Sequence, residues 1–268
     1  KALKSETLGE CALAYSDKIT SLKVSKKIDI GACFGLKGLS SFDFNKIKTL
    51  GKFAFAETSL KKITFSGNEI GDYAFSLAKK IQEVVISPDA KIGKNILYGC
   101  NSIRKMNVSG KYKIRWYFGS TTPSMKELTV NGDITDDFNR NNHLLTKVTL
   151  VDVNKFGRWS FYNNTQLSQI SLVNVKNVGD WAFAYCDKIS NVSIPSSVKY
   201  IGMNAFRYCH NLKSVLIRSL HVVPFGANAF YSIHPQTLFF VHQSILNKYL
   251  SSSLFSNFKI KVISSRYK

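Results

Sequence analysis

Apolar and polar positions along the chain recur with a period of 20–24 residues rather than with the short periods of one helix or strand. Ile70-Gly71-Asp72-Tyr73-Ala74-Phe75 returns as Val178-Gly179-Asp180-Trp181-Ala182-Phe183 and as Ile201-Gly202-Met203-Asn204-Ala205-Phe206. Further copies start at Leu50, Phe156 and Phe225, and degenerate ones are centred on Gly9, Gly31, Gly93, Arg115 and Thr135, which makes eleven rungs. With the glycine at position zero, Ala-Phe stands at +3 and +4, a small residue at +7, and apolar residues at +10, +13 and +15, as in Leu212, Val215 and Ile217. The +13/+15 pair has the period of 2 expected of a strand with one buried face. The Ala-Phe segment predicts a short helical or 3₁₀ turn packed against that strand. No rung can bury its own apolar face alone, so the rungs must stack. The fold class predicted is an α/β repeat solenoid, with a parallel sheet on its concave face and the short turns on its convex side. The Phe column (Phe55, Phe75, Phe161, Phe183, Phe206, Phe230) is expected to be its core spine.

Strand alternation also predicts what faces outward. One column reads Ser21, Ser41, Lys62, Glu83, Lys105, Glu127, Lys147, Gln169, Asn191, Ser214, Leu238, so five consecutive members, Lys62 to Lys147, alternate in sign on neighbouring strands. The next outward column holds Thr64, Val85, Asn107, Thr129, Thr149, Ser171 and Ser193. Lys62, Glu83, Lys105, Asn107, Glu127, Thr129, Lys147 and Thr149 are therefore the candidate concave binding residues, for a protein or glycan partner. Self-neutralisation of an exposed sheet explains the same charges without any ligand. Towards the C-terminus Leu216, Arg218, Leu238, Phe240 and His242 make the face apolar and basic, and residues 247–263 are expected to cap it.

The repeat Ile-Gly-x-x-Ala-Phe-x-x-Cys-x-x-Leu-x-x-Val-x-Ile-Pro, nearly intact over residues 178–195 and 201–217, resembles the BspA-type leucine-rich repeats. The resemblance covers about residues 8–243, and the domain division expected is a repeat array over 1–243 followed by a capping segment over 244–268. The chain departs from the pattern where glycine is lost at Arg115 and Thr135 and in a shortened, irregular second rung after Gly31. Only eight residues precede Gly9, so more repeats or a cap are expected upstream. The resemblance implies a leucine-rich-repeat interaction module of bacterial surfaces or parasitic protists, often an adhesin, and no enzyme.

Composition changes this picture in one respect. The 268 residues hold 37 Lys+Arg against 17 Asp+Glu, a formal net charge of +20. Residues 90–126 carry eight basic and no acidic side chains, and residues 188–268 ten basic and none acidic, so two blocks hold nearly all the excess. The first block contains Lys111-Tyr112-Lys113-Ile114-Arg115-Trp116, where a Trp replaces the small or polar residue usual at +1. Lys111, Lys113, Arg115 and Trp116 form a second candidate site, an aromatic flanked by cations as stacking on a sugar or base requires. The alternative function is thus a polyanion binder, of sulfated glycan or nucleic acid, acting through the two basic blocks.

Catalysis and cofactors find no support in the sequence. The five His occupy unrelated repeat positions, and no metal, phosphate-loop or nucleophile-elbow motif occurs. No run of 18 apolar residues is present. Of the five Cys, Cys100, Cys186 and Cys209 share the +7 column. Adjacent rungs place Cys186 and Cys209 within disulfide reach, but the small residues at +7 elsewhere (Thr58, Ala78, Asn164) favour stacked free thiols. Asn107, Asn163 and Asn191 head Asn-x-Ser/Thr sequons.

Overall fold

Rung stacking is carried by backbone hydrogen bonds on two separate edges of each turn. The structure, a computed structural model, describes residues 3–87, 90–109, 124–251 and 255–263. The chain divides into two compact units, Lys1–Asn131 and Gly132–Lys268, each a parallel β-solenoid. In the first, β4 (Lys62–Phe65), β6 (Glu83–Ile86), β8 (Lys105–Ser109) and β9 (Glu127–Asn131) pair in parallel, with Lys62, Glu83, Lys105 and Glu127 in one row. A second ladder joins β1 (Leu3–Leu8), β2 (Leu22–Ile28), β3 (Thr49–Leu50), β5 (Glu69–Ile70) and β7 (Lys91–Ile92).

In the second unit β10 (Lys147–Val151) pairs with β11 (Gln169–Val173), and β12 (Asn177–Val178) with β14 (Tyr200–Ile201). The strands β13 (Asn191–Ile194), β15 (Ser214–Ile217), β16 (Leu238–Val241) and β17 (Lys259–Val262) complete a four-stranded parallel sheet. The chain reaches β17 through a 3₁₀ turn at Gln243–Ile245 and a helix α1 at Leu246–Leu250. The tail therefore extends the sheet by one strand instead of lying across its face. Tyr249 of α1 is wholly buried, and its hydroxyl accepts the Val223 N–H at 3.0 Å.

The convex segments are turns, and the reason they are not helix is local. Ala54 donates to Gly51 O and Ala56 to Phe53 O, the i→i+3 bonds of 3₁₀-type turns. Flanking them, Phe53 and Glu57 sit left-handed, at φ of 56° each, and their N–H groups point towards the next rung. Phe53, Phe55 and Glu57 then donate to Asp72, Ala74 and Ser76 carbonyls at 2.7–3.0 Å. The left-handed pair recurs at Tyr73 and Leu77, Trp159 and Asn163, Trp181 and Tyr185, and Asn204 and Tyr208. Each bulky left-handed residue costs about 1–2 kcal/mol. An inter-rung hydrogen bond and ring stacking, such as Phe53 on Tyr73 at 5.2 Å, offset that cost.

The Phe spine is stacked and buried as the repeat predicts. Ring centroids lie 6.0 Å apart for Phe55–Phe75, 5.4 Å for Phe161–Phe183, 5.3 Å for Phe183–Phe206 and 5.2 Å for Phe206–Phe230. The glycine column serves close approach. A Cβ on Gly71 would lie 2.6 Å from the Gly51 carbonyl carbon, and one on Gly157 would lie 2.1 Å from that of Thr135. All five cysteines are free thiols, and Cys33, Cys100, Cys186 and Cys209 are buried. Cys100, Cys186 and Cys209 donate to the Phe carbonyls of the preceding rung, Phe75, Phe161 and Phe183, at 3.1–3.2 Å. The +7 column is thus a set of buried groups that satisfy core carbonyls, and Asn164 does the same towards Asn139 at 2.8 Å.

Candidate functional site

The outward face of the long strands carries the residues singled out by the repeat. In the first unit Lys62, Glu83, Lys105, Asn107 and Glu127 are exposed and Thr129 is half-buried, while their apolar neighbours in each strand are buried. The charges resolve into two separate ion pairs, Lys62–Glu83 at 3.0 Å and Lys105–Glu127 at 3.5 Å. Their side chains keep about half or more of their exposure, 59% and 49% in the first pair, so water screens them and each pair contributes about 0–1 kcal/mol. In the second unit Lys147 is exposed and Thr149 half-buried, in register with Gln169 and Ser171. Further along, Ser214 Oγ donates to Asn191 Oδ1 at 2.6 Å and Arg218 Nε to Ser193 Oγ at 3.2 Å. The face is a polar sheet with built-in charge pairs and hydroxyls, suited to surface contact. Lys111, Lys113, Arg115 and Trp116 lie outside the described residues.

At +1 the aspartates have a definite task. Asp72 Oδ1 accepts the Lys94 N–H at 2.7 Å, Asp136 that of Arg158 at 2.7 Å, and Asp180 that of Met203 at 2.8 Å. These carboxylates brace one rung to the next and are structural.

Sequence reasoning missed a second feature of the convex side. In the second unit Tyr162, Tyr185, Tyr208 and Tyr231 form a continuous row with centroid separations of 5.3, 4.6 and 6.0 Å. The Arg207 guanidinium lies 4.8 Å from Tyr208 and Tyr231 and 5.5 Å from Trp181, and it donates to Tyr208 Oη at 3.0 Å. That hydrogen bond raises the Arg207 pKa above its ordinary value, while desolvation and neighbouring Tyr162 and Tyr208 raise that of Tyr185. The spacing of 23 residues between those four tyrosines was the available signal.

Reactive chemistry is sparse among the described residues. His210 Nδ1 lies 2.7 Å from Asp187 Oδ1 on an exposed turn. No group of three or more His, Cys, Asp or Glu that could hold a metal ion is found among them. Burial pushes the thiols of Cys33, Cys100 and Cys209 up to about 12, which keeps them neutral and unreactive at physiological pH. No helix among the described residues is long and apolar enough to cross a membrane.

Solved structures with similar repeats include three bacterial proteins. A leucine-rich repeat protein from Bacteroides ovatus is 18% identical, with a TM-score of 0.41 over 98% of this chain and 84% of its own. The pneumococcal vaccine antigen PcpA is 17% identical, with a TM-score of 0.42 over 98% and 89%. A leucine rich cell surface protein from Faecalibacterium prausnitzii is 14% identical, with a TM-score of 0.38 over 99% and 88%. No curated protein sequence matches the chain. The family model for the BspA type leucine rich repeat region matches residues 6–118 and 132–261, which is most of the chain and both of its units. The rung period, the Phe spine and this match together make the chain a member of the BspA-type leucine-rich repeat family.

Proposed function

We propose that the chain is a non-enzymatic, adhesin-like interaction module of a cell-surface or secreted protein, which binds a protein or glycan through its strand face. The observation that carries this reading is the outward row of Lys62, Glu83, Lys105 and Glu127 with Asn107 beside it, exposed on strands held flush by parallel pairing, and half-buried Thr129 next to Asn107. Such a face offers hydrogen-bonding groups in a fixed array, and the surrounding core gives it rigidity. Membership of a repeat family that supplies surfaces supports the same reading. Residues 244–268 act in it as the cap, hiding the apolar end of the array behind β17 and Tyr249.

The test is a panel of extracellular matrix proteins and neutral glycans, measured by biolayer interferometry against the protein and its Glu83→Ala and Lys105→Ala variants. Binding that falls at least fivefold in both variants supports the central site. Binding that neither variant changes removes it. The polyanion reading draws on the acid-free blocks 90–126 and 188–268 and is tested in parallel with heparin. Heparin affinity that drops steeply between 50 and 200 mM salt, in proportion to the phosphate-like contacts made, would favour it. A flat response in a protein with intact Lys111, Lys113 and Arg115 would discard it.

A further inference from the structure

The last convex turn of the second unit keeps the donor geometry of the turns below it, with no further turn to receive it. In the regular rungs the N–H groups at +2, +4 and +6 point along the stack. Trp181, Phe183 and Tyr185 donate to the Met203, Ala205 and Arg207 carbonyls at 2.7–2.9 Å. Asn204, Phe206 and Tyr208 donate in turn to those of Ala227, Ala229 and Tyr231 at 2.8–3.0 Å. The eleventh turn repeats the conformation. Asn228 and Ser232 sit left-handed at φ of 56° and 55°, and the Ala229 and Tyr231 N–H groups close the same i→i+3 bonds, on Gly226 O and Asn228 O. Its outward donors are the N–H groups of Asn228, Phe230 and Ser232, and none of the three has an acceptor among the described residues.

The described residues beyond this turn cover the apolar spine but leave the amides open. Phe258 lies 6.1 Å from Phe230 and 4.6 Å from Phe239, which closes the ring stack. Between the turn and this cap lies a cavity of about 370 Å³, whose walls include Asn228, Phe230, Ser232, His234, Asn257 and Phe258. Phe230 is only 3% exposed, yet its N–H is unbonded. Buried backbone N–H groups without a partner are rare, because the lost hydration then goes uncompensated. At the same repeat position Phe55, Phe75, Phe161, Phe183 and Phe206 all donate to a carbonyl, at 2.7–2.9 Å.

We infer that this cavity is a peptide-binding site, which takes main-chain carbonyls of a short acidic segment of a partner protein on the Asn228, Phe230 and Ser232 N–H groups. The rungs below define what such a row binds: carbonyl oxygens on alternate residues of a second chain segment, one to each N–H. Charge sets the sign of that segment. No residue lining the cavity is acidic, and residues 188–268 contain no Asp or Glu. In rung order the closest carboxylates belong to the ninth rung, where Asp180 accepts the Met203 N–H and Asp187 pairs with His210. Two cations flank the site: Lys259, whose Nζ donates to Gln236 Oε1, and Arg207, 4.8 Å from the Tyr231 ring. In the wall itself His234 Nδ1 accepts the Gln236 N–H at 3.1 Å, which leaves Nε2 as a further donor. The site lies at the end of the array and stands even if the outward Lys–Glu row binds nothing.

The experiment uses the whole chain, labelled with nitrogen-15, and two end-blocked hexapeptides, one alternating Asp and Ala and the other Lys and Ala. In the free protein, amide exchange read by NMR should be at least tenfold faster at Asn228 and Ser232 than at Asn204 and Tyr208. The Asp-Ala peptide is expected to bind at least tenfold more tightly than the Lys-Ala peptide, to slow exchange at Asn228 and Ser232 at least tenfold, and to shift the Phe230 amide resonance. Asn257→Trp, which fills the cavity from an exposed position, should remove binding, whereas Asn257→Ala should keep it. Lys259→Glu should weaken binding at least fivefold, and Glu83→Ala and Lys105→Ala should leave it unchanged. Slow exchange of Asn228 and Ser232 in the free protein, equal binding of the Lys-Ala peptide, protection confined to other residues, undiminished binding to Asn257→Trp, or no binding at 1 mM would each overturn the inference.

Discussion

At the scale of single residues, this fold tolerates side chains poorly where rungs touch and freely where they do not. A Cβ on Gly71 would strike the backbone of the preceding rung at 2.6 Å. Gly71→Ala should therefore cost about 1–3 kcal/mol, the range for overpacking; urea unfolding of the variant beside the parent checks this. The buried thiols give a second outcome. Cys209 ionises near 9.0 when unfolded but only near 12 in the fold, because burial disfavours the thiolate. Its stabilising contribution is complete below pH 9 and is lost as pH rises towards 12, at about 1.4 kcal/mol per unit. Between those values the stability of Cys209→Ala should fall less steeply with pH than that of the parent. Identical slopes would show that the thiol is solvated.

At the scale of elements, the convex turn and the aspartate brace work as one device. Left-handed residues aim alternate N–H groups at the next rung, and the aspartate at +1 takes the N–H that this alternation leaves over. Asp180→Ala should cost about 0.5–1.5 kcal/mol by removing the acceptor of the exposed Met203 N–H, while Asp180→Asn, which keeps an acceptor oxygen, should cost clearly less. Thermal melts of the pair separate the two. The same logic applies to α1: Tyr249→Phe keeps the ring but strands the Val223 N–H, for about 1–3 kcal/mol. The turn was only partly legible in sequence. Ala-Phe at +3 and +4 marks a tight segment, but no propensity suggests that Tyr, Trp or Leu will sit left-handed. Only hydrogen bonds to another rung make that conformation worth adopting.

At the scale of the whole molecule, charge and repeat act separately. The net charge of +20 is not neutralised by the few exposed ion pairs, such as Lys62–Glu83, so the folded chain repels itself. Raising sodium chloride from 10 to 200 mM should therefore raise Tm by a few degrees, and a falling Tm would mean that the ion pairs dominate. The repeat itself was readable before any coordinates: eleven rungs, a parallel strand in most of them, a Phe spine and an outward Lys–Glu alternation follow from a periodicity that stacking alone can satisfy. The tyrosine row around Arg207 was hidden, because its members belong to different rungs and meet only when those rungs align. Residues 41–43, marked in the sequence only as part of an irregular rung, form no strand although they keep the exposed–buried alternation of β4, and Phe44 of that rung packs on Phe55 and Phe75. Period and polarity are properties of one chain segment and are written along it. Close approach, left-handed turns and a missing pairing are properties of two segments in contact, and only the folded stack decides them.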